Sequence, residues 1–387
     1  MPEISLQLIL FCLFCITIVI LLWYYIFYFS KLAFYKTGNT DRNKKGKKEP
    51  GVSVVICARN EARNISDFLP VVLTQDYPNY EVIVVDDCSH DSTSDVLKTF
   101  EKKNLHLRVI TIKEDRVHHH GKKFAVMVGI KGASHEYVLL TDADCRPMSN
   151  QWIRAMTDSL SGEKEIVLGF SKYERLSGFL NKMIRFDTFH IALQYLSFAQ
   201  AGYPYMGIGR NLAYKKSLFF NNKGFASHYH IDSGDDDLFI NEVATAKNTS
   251  IEIATDSFTV SRVKKEWSSW LDQKRRHLTT WAHYKLSDKI RLGGYLISQA
   301  FFWLLFASLI PIVILFPVFN QYDLFIVFGL FLLKTCSQLI VFNKAMNNLK
   351  ERDLLVLSIL AELFLLVIYV SLTISNKLFR KQKWKKI

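Results

Sequence analysis

Cysteine is scarce and scattered in this chain, six in 387 residues at positions 12, 15, 57, 88, 145 and 336. Cys12 and Cys15 fall inside an apolar run and no second pair matches them, which argues against a zinc or redox site there. The same scatter fits a reducing, cytoplasmic-facing setting for the part that does chemistry. There is no internal repeat and no low-complexity tract, so repeat arrays and compositionally biased segments are excluded. No basic residue precedes the first apolar run and no small-residue cleavage site follows it, so that run reads as an uncleaved anchor and not as a secretory signal. Acidic residues are outnumbered, 36 Asp and Glu against 49 Lys and Arg, for a net charge of +13. A basic balance points to nucleic acid, anionic lipid or phosphorylated substrates. The membrane-length runs favour lipid and phosphate, and nucleic acid is not expected as a partner.

What the chain does have is apolar runs at both ends. Leu6 to Phe29 is long enough to span a bilayer. It is followed by Lys31, Lys36, Arg42, Lys44, Lys45, Lys47 and Lys48, a flank that the positive-inside rule places in the cytoplasm. Residues 1–30 therefore read as an N-terminal transmembrane anchor and 31–50 as a basic linker. Residues 292–376 hold three more candidate spans, Tyr295 to Phe319, Leu324 to Phe342 and Leu354 to Ser375. Pro311 and Pro317 interrupt the first. Lys334 and Glu362 lie inside the other two and are expected to face a helix, a headgroup or a cavity, because charge facing lipid is costly. The tail, 377–387, carries Lys377, Arg380, Lys381, Lys383, Lys385 and Lys386. A cytoplasmic middle part followed by three full spans would put this tail outside, against the rule. One C-terminal segment is therefore expected to be re-entrant or interfacial, the proline-interrupted one being the candidate.

Between the apolar ends runs an α/β rhythm. Strands are predicted over Val52 to Cys57, Glu81 to Val85, Leu107 to Ile112 and Tyr137 to Thr141, with helices over Ala62 to Thr74, Ser92 to Lys103 and Lys122 to Ala133. Alternation of this kind implies a mainly parallel sheet with crossover helices. In such sheets ligands sit beyond the carboxyl ends of the strands.

The strand ends carry the candidate chemistry. Val138 to Thr141 runs into Asp142-Ala143-Asp144, two carboxylates able to share a hard cation with phosphate oxygens; a plain turn is the alternative. Ala58-Arg59-Asn60-Glu61 is placed to grip a base and ribose, or to cap the next helix. Asp86-Asp87-Cys88-Ser89 can accept hydrogen bonds from a nucleoside, or cap in its turn. Gly121-Lys122-Lys123 puts lysines at a helix N-terminus, which is unfavourable unless an anion is near; a solvated charge pair is the alternative. His118, His119 and His120 read as loop residues, since three consecutive histidines cannot easily face one ion.

These elements in this order resemble a membrane-bound family-2 glycosyltransferase with a GT-A, Rossmann-like nucleotide-diphospho-sugar domain. Two later segments extend the resemblance. Gly207-Ile208-Gly209-Arg210-Asn211-Leu212-Ala213-Tyr214 is similar to the family's glycine-rich segment, and Ser233-Gly234-Asp235-Asp236-Asp237-Leu238 to its acidic motif. The match runs from about Val52 to Tyr284, with the GT-A domain at 51–265 and an interfacial amphipathic segment at 266–291. The resemblance implies donor contacts at Ala58, Arg59, Glu61, Asp87 (with Asp86) and Lys122, and a ribose or diphosphate contact at Asp142. It implies Asp144 as ligand of Mg2+ or Mn2+, and Asp236 as general base with Asp235 competing. Trp267 to His277 resembles the Gln-x-x-Arg-Trp element, which implies diphosphate contacts at Gln273 and Arg276. His277 stands where the family usually has Trp, a departure that weakens stacking on an acceptor sugar; an amphipathic helix at a lipid headgroup layer is the structural alternative.

The implied activity is inverting transfer of a sugar from a nucleotide-diphosphate donor, UDP by family habit, to a lipid-linked or saccharide acceptor. The expected setting is the cytoplasmic face of an inner membrane in a multi-pass protein. Two other readings stand beside it: a processive polysaccharide synthase that threads its own product, and an inactive membrane scaffold. The few C-terminal spans and His277 weigh against the first of these, the many retained carboxylates against the second.

Overall fold

The computed structural model describes residues 2–36, 49–113, 121–160, 162–315 and 321–378. The lysine-rich stretch 37–48, the His118–His120 run, Pro317 and the tail from 379 lie outside the described residues. Backbone contacts divide the chain into two units, one built on Lys36–Tyr284 and the other on Met1–Tyr35 with Lys285–Lys381.

The first unit is built on two sheets. Strands β1 (Val52–Ala58), β2 (Tyr80–Asp87), β3 (Leu107–Ile112), β4 (Tyr137–Asp142), β6 (Ile166–Leu168), β8 (Leu212–Lys215) and β9 (Thr249–Ile251) form a seven-stranded sheet in the order β3-β2-β1-β4-β8-β6-β9. Strands β5 (Cys145–Pro147), β7 (Ser171–Tyr173) and β10 (Thr259–Ser261) form a smaller sheet in the order β5-β10-β7. β1 to β4 are parallel, and β8 runs antiparallel to β4 and β6. The four parallel strands are those expected from the sequence, within two residues at each end. They are legible because both faces are covered: Val52 to Ile56 is buried without a break, and so is Val82 to Asp87.

Register then does the positioning. β1 pairs with β2 and β4 so that Cys57 lies opposite Asp142, and Ala58 opposite Asp86. All four residues reach the same carboxyl-end rim. Helix Lys122–Gly132 packs on this sheet at Gly129, where a Cβ would come within 2.4 Å of Val55 Cγ1. That close approach lays the helix flat and brings its first residue, Lys122, to the rim.

The second unit contains four helical stretches long and apolar enough to cross a membrane: Leu8–Ala33, Leu286–Val313, Leu324–Asn348 and Ser358–Asn376. The anchor is α-helical over Pro2–Trp23 and turns π-helical over Tyr24–Phe29. The proline interruption expected at Pro311 does not occur, because helix Leu286–Leu315 passes through it. Proline is tolerated inside apolar membrane helices, where neighbouring groups re-satisfy the backbone it frees. That helix also begins at Leu286, inside the stretch expected to be interfacial.

Lys334 and Glu362 face each other, Nζ to Oε2 at 3.6 Å, both buried. Glu362 also accepts from Tyr295 Oη at 2.7 Å and Gln299 Nε2 at 3.2 Å, and Gln299 Nε2 reaches Tyr25 Oη at 3.1 Å. Lys334 donates to Gln338 Oε1 at 2.6 Å and lies 4.8 Å from the centre of the Phe302 ring. Of the three surroundings the sequence left open for these charges, a neighbouring helix is the one observed.

Candidate functional site

The turn after β1 is braced against the turn after β2. Asn60 takes a left-handed φ of 57°, donates from its N–H to Ser89 Oγ at 3.0 Å and accepts at Oδ1 from His90 N–H at 2.8 Å. Glu61 N–H donates to Thr93 Oγ1 at 2.9 Å, and Ala62 N–H to Asp91 Oδ2 at 3.3 Å. Asp86 is spent locally, accepting from Ser89 N–H and Ser94 Oγ. Asp87, buried at the end of β2, is thereby separated in role from its neighbour. Ala58 is buried at the tip of β1, and Arg59 follows it, partly exposed. The Glu61 carboxyl is raised by burial, against its bond from Asn64, with Asp144 and Asp142 adding to the rise.

Lys122 is the hub. Its Nζ lies 2.9 Å from Asp142 Oδ1 and 3.1 Å from Asp235 Oδ2. Burial works against its charge, but Asp142, Asp235 and Asp236 outweigh it and hold the ammonium well above the ordinary lysine range. In return, Lys122 holds Asp142 low against the effect of burial. The lysine that looked unfavourable at a helix N-terminus is compensated by carboxylates from two other elements. Its neighbour Lys123 turns away and donates to the carbonyls of His228 at 2.6 Å and Ile231 at 3.0 Å. Cys57 sits at the centre of this rim: burial raises its thiol, Lys122 opposes, and Asp235, Asp142 and Asp87 add to the rise. Asp87, Asp142, Asp235 and Lys122 therefore converge within electrostatic reach of one side chain.

Asp142, Asp144 and Cys145 place one ligand atom each within 4.8 Å of one another. Two carboxylates suit a hard divalent cation. The thiol is occupied otherwise, because a directional chain reaches Asp144 through it. Arg210 donates to Ser261 Oγ at 3.0 Å, Ser261 lies 2.8 Å from Cys145 Sγ, and Cys145 donates to Asp144 Oδ1 at 3.2 Å. Asp144 is raised by burial and by Asp142. Arg210 also stacks on the Tyr173 ring at 4.6 Å, and its carbonyl accepts from Thr141 Oγ1 and Thr259 Oγ1. The sequence places Arg210 in the glycine-rich segment, where nothing in the pattern marks this role. Its neighbour Asn211 is fully buried, accepting from Trp152 Nε1 at 3.0 Å and donating to the carbonyls of Phe170 and Ser257.

The three consecutive acids have three different partners. Asp235 pairs with Lys122. Asp236 accepts from Gly209 N–H at 2.6 Å and caps helix Asp237–Val243 through the N–H of Asp237 at 2.8 Å. Burial first, then Asp235 and Asp237, push its carboxyl up to about 7. Asp237 turns the other way and accepts from Thr280 Oγ1 at 2.5 Å and Tyr284 Oη at 2.8 Å. Gly209 has no room to spare, since a Cβ there would meet Asp236 Oδ2 at 3.3 Å and Lys122 Nζ at 3.6 Å.

Helix Trp267–Leu278 is fixed by Trp270, which is buried, and by the buried pair of Lys274 with Asp187. Gln273 Oε1 is buried without a hydrogen-bond partner. Arg276 is exposed, and its charge reaches Asp142. His277 is exposed in the last turn of this helix, beside Arg275 and Arg276. The sequence-predicted residues thus fall into a carboxylate-and-lysine rim (Asp87, Lys122, Asp142, Asp144, Asp236), a cationic edge from Gln273 to His277, and the braced turn holding Glu61.

Over residues 53–221 the sequence matches the family model "Glycosyl transferase family 2". It is 37% identical over 94 residues to the poly-beta-1,6-N-acetyl-D-glucosamine synthase of Staphylococcus epidermidis, which is 24% of this chain and 22% of that protein. It is 35% identical over 115 residues to the glycosyltransferase AglE of Haloferax volcanii, 29% of this chain and 36% of that one. The matches thus span about a fifth to a third of these relatives' lengths. Among solved structures, the mannosyltransferase PcManGT of Pyrobaculum calidifontis, in complex with GDP-Man and Mn2+, superposes with a TM-score of 0.60 at 17% identity, covering 97% of this chain and all of that one. Residues 53–221 are thus similar in sequence to family-2 glycosyltransferases, and the strand order, with the register that gathers the acids at one rim, is that of the GT-A fold.

Proposed function

We propose that this protein is an inverting glycosyltransferase that moves a sugar from a nucleotide-diphosphate donor, a UDP-sugar, to a lipid-linked or saccharide acceptor at the cytoplasmic face of an inner membrane. The observation that carries this reading is the shared use of Lys122 by Asp142 and Asp235, with Asp144 and Asp236 flanking it. A rim of this composition accommodates a pyrophosphate and a nucleophile side by side.

Asp87 accepts from the nucleoside, with Ala58, Arg59 and Glu61 lining the turn beside it. Lys122, Gln273 and Arg276 receive the diphosphate, whose negative charge satisfies the cationic edge. Asp144 with Asp142 would hold a divalent cation, Mg2+ or Mn2+, which would supply positive charge against the departing nucleoside diphosphate. Asp236 takes the proton of the acceptor hydroxyl as that oxygen bonds to the anomeric carbon. The anomeric carbon–phosphate oxygen bond breaks on the opposite face, and the electron pair leaves with the nucleoside diphosphate. One displacement inverts the anomeric centre.

A second reading, processive synthesis of a polysaccharide, is favoured by the similarity to a poly-N-acetylglucosamine synthase. Membranes carrying the full chain, screened with nucleotide sugars for release of free nucleoside diphosphate in Mg2+ and in Mn2+, test both. Release with one donor and a product extended by one sugar supports the first reading, and a ladder of long chains supports the second. No release with any donor, under conditions where the acceptor-rich membrane is intact, overturns both and leaves an inactive scaffold.

A further inference from the structure

We infer that Asp237 is a positioning residue that latches the segment Thr280 to Tyr284 to the loop carrying the general base. The inference rests on the reading of Asp236 given above. The observation is the direction of three bonds. Asp237 Oδ1 accepts from Leu238 N–H at 2.8 Å, while Oδ2 receives both Thr280 Oγ1 at 2.5 Å and Tyr284 Oη at 2.8 Å. A carboxylate that binds two hydroxyls from one short segment fixes that segment's distance and its rotation. Thr280 is buried, and the Tyr284 ring packs 6.0 Å from Tyr205 and 6.1 Å from Trp281. The segment is the 3-10 turn Thr280–His283 that directly follows helix Trp267–Leu278, the element bearing Gln273 and Arg276.

The latch has two consequences. First, the diphosphate-side helix and the base are set in one geometry, because Asp237 is the residue after Asp236 and Asp236 caps through the Asp237 N–H. Second, the Asp237 charge lies beside Asp236 together with Asp235, while Lys122 faces them from the start of its helix. Tyr284 and Thr280 donate to Asp237 without changing the number of charges there.

The test uses the full-length chain in detergent, with Asp237→Asn, Tyr284→Phe and Thr280→Val compared with wild type. Hydrogen exchange at the amides of residues 280–284 is expected to rise by about tenfold in Asp237→Asn, as local opening is eased. In Asp237→Asn the acid limb of the kcat/KM profile moves to lower pH, since one carboxylate beside Asp236 has lost its charge. In Tyr284→Phe and Thr280→Val the limb stays in place and kcat/KM falls by about fivefold, each variant losing one hydroxyl bond to Asp237. Combining Tyr284→Phe with Asp237→Asn costs less than the sum of the two. Wild-type exchange at 280–284 in Asp237→Asn overturns the latch, and so does an unmoved limb together with unchanged kcat/KM. A wild-type chain that releases no nucleoside diphosphate would sink the functional reading, while the exchange measurement would still decide the latch.

Discussion

If Asp236 is the group that accepts the acceptor's proton, its environment sets the pH at which the protein works. Its carboxyl accepts two backbone N–H bonds, which favour the charged form, but burial and the charges of Asp235 and Asp237 outweigh them and push it from 3.8 up to about 7. At about 1.4 kcal/mol per tenfold change in proton affinity, that difference is about 4 kcal/mol of opposition to ionisation, an upper figure for a group that retains some contact with solvent. The base acts only when deprotonated, so activity is low below the raised value and rises as pH increases through it. kcat/KM for donor turnover is therefore expected to climb with unit slope towards pH 7 and level above it. The assay is the initial rate of nucleoside diphosphate release from pH 5 to 9 at saturating divalent cation, for wild type, Asp236→Asn and Asp235→Asn. Asp236→Asn should lose about 100- to 10,000-fold, the range for a missing general base. Asp235→Asn removes a carboxylate that competes with the diphosphate for Lys122, so donor KM should not rise, and the limb should shift to lower pH as a like charge is lost. An acid limb near pH 4, or an active Asp236→Asn beside a dead Asp235→Asn, would refute the reasoning and transfer the role to Asp235.

Three further outcomes follow from contacts described above. Asp144→Asn is expected to abolish cation-dependent transfer while leaving the thermal melt within a few degrees of wild type, and a chelator should do the same to the unaltered chain; normal transfer by the variant would remove Asp144 from the cation site. Asn211→Ala strands the Trp152 indole and two carbonyls in the core, so about 2–4 kcal/mol of stability should be lost, read by thermal or denaturant unfolding of the detergent-solubilised chain. Glu362→Gln leaves Lys334 buried without its counter-charge and should lower the melting temperature clearly, by a loss of order 3 kcal/mol, whereas Lys334→Met with Glu362→Leu should restore most of it; equal melts for the single and double variants would mean that the pair carries no such coupling.

The parallel half of the fold was open to sequence reasoning because four strands buried on both faces spell themselves as apolar runs, and because Asp142 and Asp144 stand where such a run stops. The small sheet of β5, β10 and β7 was not, since strands of three residues carry no period. Asp235, Asp236 and Asp237 are alike as letters, and only their partners separate them: a lysine from one helix, a backbone amide from a glycine turn, and two hydroxyls from a segment more than 40 residues on. The same holds for Lys122 and Lys123, adjacent in sequence and opposite in task. Pro311 misled for a different reason: the rule that proline breaks helices comes from water, and apolar membrane helices relax it.

The ion pair between Lys334 and Glu362 also bears on how the protein is made. Synthesis delivers the lysine's helix before the glutamate's, so a bilayer-inserted Lys334 would for a time have only Gln338 of its own helix and the Phe302 ring to face, and no counter-charge. If Gln321–Asn348 and Ser358–Leu378 cross a bilayer, the pair is expected to favour their entering it together. A chain stalled between them would display an orphaned charge, the kind of lesion by which a cell's surveillance tells an unfinished membrane protein from a finished one.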